Sequence, residues 1–117
     1  MAGRLDEYQE FRTRMNERIL GLENRPIKRF FSLDTLTYEP GALDTRTKEL
    51  LGLVASMVLR CDDCVSYHIL QCKKEGVSDA ELYDAFSVAL TVGGSIVIPH
   101  LRRAVAFLDE VPVAPSP

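Results

Sequence analysis

The sequence is short of several things at once. It has no tryptophan, only three cysteines and only two histidines in 117 residues. Three cysteines are too few to staple a small secreted domain. Lys plus Arg number 14 against 17 Asp plus Glu, and no segment carries the basic excess that phosphate binding needs. Nucleic acid is therefore not an expected partner. Long apolar runs are missing too. The longest stretch without a formal charge, Ala85 to Leu101, is shorter than the roughly 20 apolar residues of a membrane span and contains Gly93, Gly94 and Pro99. No membrane partner is expected. Residues 1–20 carry charges every few positions and no apolar h-region, so they do not read as a secretory signal. The expectation is a soluble cytoplasmic protein, where paired cysteines point to redox chemistry or metal rather than to a structural bridge.

The composition that remains, 46% hydrophobic and 26% charged, is that of a globular domain. The length fits one domain, and no alternating run supports a strand. Residues 1–110 are expected to form a single all-helical domain. Residues 111–117, VPVAPSP, are expected to be a flexible Pro-rich tail. Leu5, Tyr8, Met15, Ile19 and Leu22 recur at helical spacing and predict a first helix over Leu5–Leu22, interrupted by Pro26. Residues 27–38 read as a short helix or two. Asp44 is a plausible N-cap for a helix running to about Leu59. A further helix starts near Cys61 and stops at Gly76. Ser78 and Glu81 form a capping box for the next, which breaks at Gly93-Gly94. The last begins within 95–99, with Ser95 as a cap and Pro99 in the first turn, and runs to about Glu110.

Leu50 to Leu59 reads LLGLVASMVL, apolar nearly all round apart from the small positions Gly52 and Ser56. Such a helix must be buried on all sides. So small a chain leaves much of its surface wet, so a homo-oligomer is expected.

The reactive residues concentrate in Arg60-Cys61-Asp62-Asp63-Cys64-Val65-Ser66-Tyr67-His68. Cys61, Cys64 and His68 are three and four positions apart, which puts them on one helical face. The first turn of a helix offers unpaired N–H groups and a positive dipole end, both of which favour a thiolate. Arg60 adds positive charge. Asp62 and Asp63 oppose ionisation and leave the sign of the net shift open. His68 can take the Cys64 proton, and two thiols at this spacing can close a disulfide across one turn.

Zinc is the rival use, because Cys72 extends the row. On one straight helix, however, Cys61 and Cys72 are about 16 Å apart, so not all four side chains can reach one ion. Cys72 reads as a small buried apolar side chain. Glu49 is the remaining candidate. If its helix pairs with the next as an antiparallel hairpin near Arg60, Glu49 and His68 fall at matching heights, within about one turn of each other. A Glu–His–Cys proton relay follows. The alternative for Glu49 is a solvated carboxylate in a first helical turn. His100 reads as a helix-start histidine with a local hydrogen bond, and Arg102 and Arg103 as a solvated face. Tyr67 points about 100° away from His68 and is left out of the site.

Glu49-x11-Cys61-x2-Cys64-x3-His68, together with the flanking LDTRTKELLGLVASMVLRCDDC, resembles the alkyl hydroperoxidase D-like branch of the carboxymuconolactone decarboxylase family. The resemblance covers about residues 40–108, the redox core. It implies an all-helical bundle subunit that assembles into a homotrimer or homohexamer. It implies reduction of a hydroperoxide substrate by a dithiol, with no cofactor beyond a redox-active Cys61–Cys64 disulfide. Cys64 would be the attacking sulfur, Cys61 the proton donor and resolving thiol, and His68 with Glu49 the relay. A lipoyl-type dithiol donor and a peroxiredoxin partner are implied from a longer, two-repeat relative, whereas this chain carries one copy of the motif. Two other functions fit parts of the pattern. One is decarboxylation of an anionic lactone by Glu49 and His68, in which the thiols are surplus. The other is a non-catalytic oligomeric redox sensor.

Overall fold

A computed structural model describes residues 3–112. Beyond Pro112 the predicted tail lies outside the described residues. Six α-helices follow in order: α1 (Arg4–Leu20), α2 (Arg25–Thr37), α3 (Thr45–Val58), α4 (Asp62–Lys74), α5 (Asp79–Gly93) and α6 (Ile98–Glu110), the last preceded by a 3-10 turn over Ser95–Val97. No strand occurs among the described residues, as the all-α reading expects.

Local chemistry sets most of these boundaries. The Asp44 carboxylate accepts from the Thr47 N–H at 2.7 Å and caps α3. Ser78 and Glu81 satisfy each other's backbone N–H groups at the start of α5. Gly76, at φ 79°, ends α4 in the left-handed region, where a residue without Cβ is unstrained. Three boundaries differ from expectation. α1 stops at Leu20 rather than Leu22, because Asn24 starts the next helix by accepting from the Ile27 N–H at 3.0 Å. Pro26 therefore sits inside the first turn of α2 instead of breaking a helix, and α2 is one helix. Ser95 opens the 3-10 turn without any side-chain cap, and α6 begins at Ile98 with Pro99 in its first turn.

The core lies between α3, α4 and α5 and is closed by α6. Leu53, Met57, Ile69, Cys72, Leu82 and Ala89 are fully buried there. α1 docks on α6 through a side-chain cap. The Glu110 carboxylate accepts from the Arg4 and Leu5 N–H groups at 3.2 and 3.3 Å. Tyr8 meets Phe107 edge-on at 5.6 Å between ring centres. α2 contributes no buried residue.

The expectation that α3 is buried on every side fails within one chain. Leu51 is 55% exposed and Leu59 77%, and Val92 of α5 is 69% exposed. The α3 helix packs mainly against α4 and α5, and these cover only part of its circumference.

Candidate active site

The site begins at the turn between α3 and α4. Arg60 holds φ 61°, an uncommon conformation for a residue with a side chain. Its N–H donates to the Met57 carbonyl and the Cys61 N–H to the Ser56 carbonyl, each at 3.0 Å. This pair of hydrogen bonds to the last turn of α3 reverses the chain at once. It makes Cys61 the N-cap of α4, where its sulfur accepts from the Cys64 N–H at 3.2 Å. Cys61 and Cys64 are joined as a disulfide, with Cα atoms 5.3 Å apart. Both sulfurs thus sit at the positive end of a helix.

The hairpin places Glu49 and His68 together. His68 Nδ1 and Glu49 Oε1 are 2.7 Å apart, and Glu49 is 3% exposed. The solvated reading of Glu49 is therefore wrong: α4 covers its face of α3. With the carboxylate ionised, Nδ1–H must donate, which leaves Nε2 with its lone pair. Burial pushes the Glu49 carboxyl above the usual carboxylate range, and the hydrogen bond from His68 opposes the shift without cancelling it.

Gly52, one turn after Glu49, permits this packing. A Cβ there would stand 2.6 Å from His68 Cε1 and 2.7 Å from the Tyr38 hydroxyl. The Tyr38 ring lies 5.4 Å from the imidazole. Tyr38 is the C-cap of α2, and its approach to His68 depends on how α2 packs, which no local pattern encodes. Gly52 carried a usable signal, as a small residue three positions from Glu49.

Tyr67 also requires correction. Its ring lies 5.2 Å from that of His68, edge to face, and it lines a pocket of about 190 Å³ with Arg12, Asp34, Asp63, Cys64 and His68. Successive helical residues diverge at Cα, yet two long side chains can still meet at their tips. Burial raises the Tyr67 phenol above its ordinary pKa, so it stays protonated at neutral pH.

The histidine near the last helix start keeps a local contact, with Arg103 Nη2 3.4 Å from His100 Nδ1, but both residues also reach another helix. His100 Nδ1 lies 2.7 Å from Asp62 Oδ1, and Arg103 Nε donates to Asp62 Oδ2 at 2.7 Å. This cluster fastens α6 to the first turn of α4 and places cationic Arg103 beside one of the two carboxylates that oppose a Cys61 or Cys64 thiolate. Cys72 is fully buried and unpaired, and burial pushes its thiol up to about 12. It points into the core, away from the first turn of α4. Among the described residues no group of three or more His, Cys, Asp or Glu side chains is placed to hold a metal ion.

With this geometry in view, the comparisons with known proteins become specific. Residues 27–107 match the carboxymuconolactone decarboxylase family. Two crystal structures of one Thermotoga maritima protein are similar at 58% and 57% identity, with TM-scores of 0.85 and 0.84. Each covers 89% of this chain, and 91% and 88% of theirs is matched. That protein is described as a member of this family for which a part in the antioxidative response has been suggested. A Legionella pneumophila family protein, crystallised in its apo form, is 25% identical with a TM-score of 0.67, over 89% of this chain and 86% of its own. Protein 4 of the cox locus of Paracoccus denitrificans is 30% identical over 70% of this chain and 74% of its own. The chain belongs to the carboxymuconolactone decarboxylase family, and its features are consistent with the alkyl hydroperoxidase D-like branch.

Proposed function

We propose that this protein is a thiol-dependent peroxidase that reduces hydroperoxides with the Cys61–Cys64 dithiol. The observation that carries the reading is the buried Glu49–His68 pair, one helical turn from Cys64 at the start of α4. A structural disulfide needs no acid–base pair behind it. A thiol that must lose and return a proton in each cycle does.

The cycle starts from the reduced dithiol. His68, held by Glu49, takes the Cys64 proton, and the thiolate attacks the terminal, hydrogen-bearing oxygen of the hydroperoxide. The S–O bond forms and the O–O bond breaks. The departing alkoxide takes the proton from His68 and leaves as an alcohol, or as water when the oxidant is hydrogen peroxide. Cys64 is then a sulfenic acid. Cys61 attacks that sulfur and expels water, closing the disulfide. An external dithiol, of which a lipoyl group is one form, re-reduces it by exchange and leaves oxidised. A peroxiredoxin is a further candidate partner for the reduced pair. The cytoplasm, a reducing compartment, suits this cycle.

The anionic-lactone decarboxylase is the weaker reading. The pocket beside Cys64 holds two carboxylates, Asp34 and Asp63, against one guanidinium, Arg12. That balance suits a neutral substrate better than an anion.

The test is peroxide consumption with a dithiol reductant by the parent, Cys61→Ser and Cys64→Ser. Serine is an effective N-cap, so Cys61→Ser keeps the start of α4. Loss of turnover in both variants, with helicity retained, supports the reading. Turnover untouched by either change contradicts it.

A further inference from the structure

The proposed cycle leaves Arg12 without a task. Arg12 belongs to α1, far from the cysteine motif in sequence, and α1 is held against α6 rather than built into the α3–α4 hairpin. Its guanidinium nevertheless sits over the Tyr67 ring at 4.5 Å from the centroid. Tyr67 in turn packs on His68. Arg12 lines the same pocket as Cys64 and His68, and also lines the neighbouring groove between α1 and α2. Among the described residues no carboxylate is within ion-pair distance of it, although Asp34 and Asp63 share the pocket. Stacking on an aromatic face fixes the plane of the guanidinium while leaving its edge N–H groups free to donate.

We infer that Arg12 is a substrate-binding residue of the reactive pocket, its N–H groups donating to the oxygen that leaves when the Cys64 thiolate splits the O–O bond. The inference rests on the peroxidase reading and adds a residue to it. The charge that develops in that step lies on the departing oxygen, and a donor already in place there needs no reorganisation. Arg12 only donates hydrogen bonds in this step and transfers no proton. The departing oxygen takes its proton from His68, as in the cycle above. Mixed charge in the pocket fits the same role: Arg12 serves an oxygen that becomes negative only during reaction, not a ligand that arrives as an anion.

The test compares the parent with Arg12→Gln and Arg12→Lys. The readouts are kcat/KM for hydrogen peroxide and for cumene hydroperoxide, and the rate at which diamide, an oxidant without a peroxide bond, closes the Cys61–Cys64 disulfide. Losing one such donor is expected to lower kcat/KM for both peroxides by roughly 10²-fold, with Arg12→Lys between Gln and parent. Diamide oxidation falls far less than peroxide turnover, which a general loss of structure would not allow. An active parent with Arg12→Gln within about twofold of it overturns the role of Arg12 alone. A diamide rate that falls as far as the peroxide rate also overturns it. A parent that turns over neither peroxide overturns the peroxidase reading, and this inference with it.

Discussion

Glu49 of α3 and His68 of α4 meet across the hairpin, Oε1 to Nδ1 at 2.7 Å, with the carboxylate shut away from water. A carboxylate placed there does two opposed things. It fixes the imidazole, and it brings a charge into a site where charge is disfavoured.

Glu49→Gln separates the two. Glutamine keeps an acceptor for Nδ1–H but loses the charge that stabilises an imidazolium. Peroxide turnover is expected to fall on the order of 10²-fold, the usual scale for impaired general acid–base catalysis. Stability moves the other way. A carboxyl whose folded pKa is raised favours the fold fully below the ordinary carboxylate range, and that contribution is lost as pH rises through the folded value. Glutamine does not titrate. The Tm of Glu49→Gln relative to the parent should therefore increase from about pH 4 to about pH 7, measured by thermal unfolding at both values. A Tm difference that shrinks with rising pH contradicts the assignment.

Gly52→Ala asks whether the imidazole is held where it must be. Alanine favours the helix by about 1 kcal/mol, while overpacking costs about 1–3 kcal/mol, so net stability falls by about 0–2 kcal/mol. Activity should respond far more, because the added methyl meets His68 and Tyr38 directly. A displacement on the order of 1 Å costs about 10²-fold in rate. Parent-like kcat/KM in Gly52→Ala would show that the position of His68 does not matter.

The uncovered apolar side chains lead to the third prediction. Leu59 and Val92 lie on faces left open among the described residues, and a homotrimer or homohexamer is the proposed means of covering them. Sedimentation equilibrium should give a mass three or six times 13.1 kDa. Leu59→Glu should shift the population toward smaller species, since a buried unpaired charge is strongly unfavourable. A parent that stays a monomer at micromolar concentration contradicts the assembly.

Much of this architecture is legible in the sequence because its cues are local. Asp44, the Ser78–Glu81 box and Gly76 each act within one turn of their own position, so pattern alone finds them. The Glu49–His68 contact is legible for a different reason: a short turn at Arg60 makes two adjacent helices antiparallel, and height along a helix is simple arithmetic. Tyr38, Arg12 and the Asp62–His100–Arg103 cluster are not legible. Each depends on how elements distant in sequence pack, and no periodicity encodes that. Tyr67 fails for a subtler reason, since its direction at Cα is right but its length carries the ring back to His68. The open faces of α3 and α5 mark the opposite limit: the apolar pattern reads as buried on all sides, yet among the described residues Leu51 and Val92 stay exposed.

The central claim is that Cys61 and Cys64 exchange electrons with a hydroperoxide while Cys72 does not. The fully reduced protein is mixed with one equivalent of hydroperoxide, and its thiols are counted in denaturant before and after. The account predicts loss of two of the three thiols, a Cys61–Cys64 bridge by peptide mapping, and Cys72 recovered intact because its buried thiol titrates near 12. Three thiols surviving, or Cys72 appearing in the oxidised product, would contradict it.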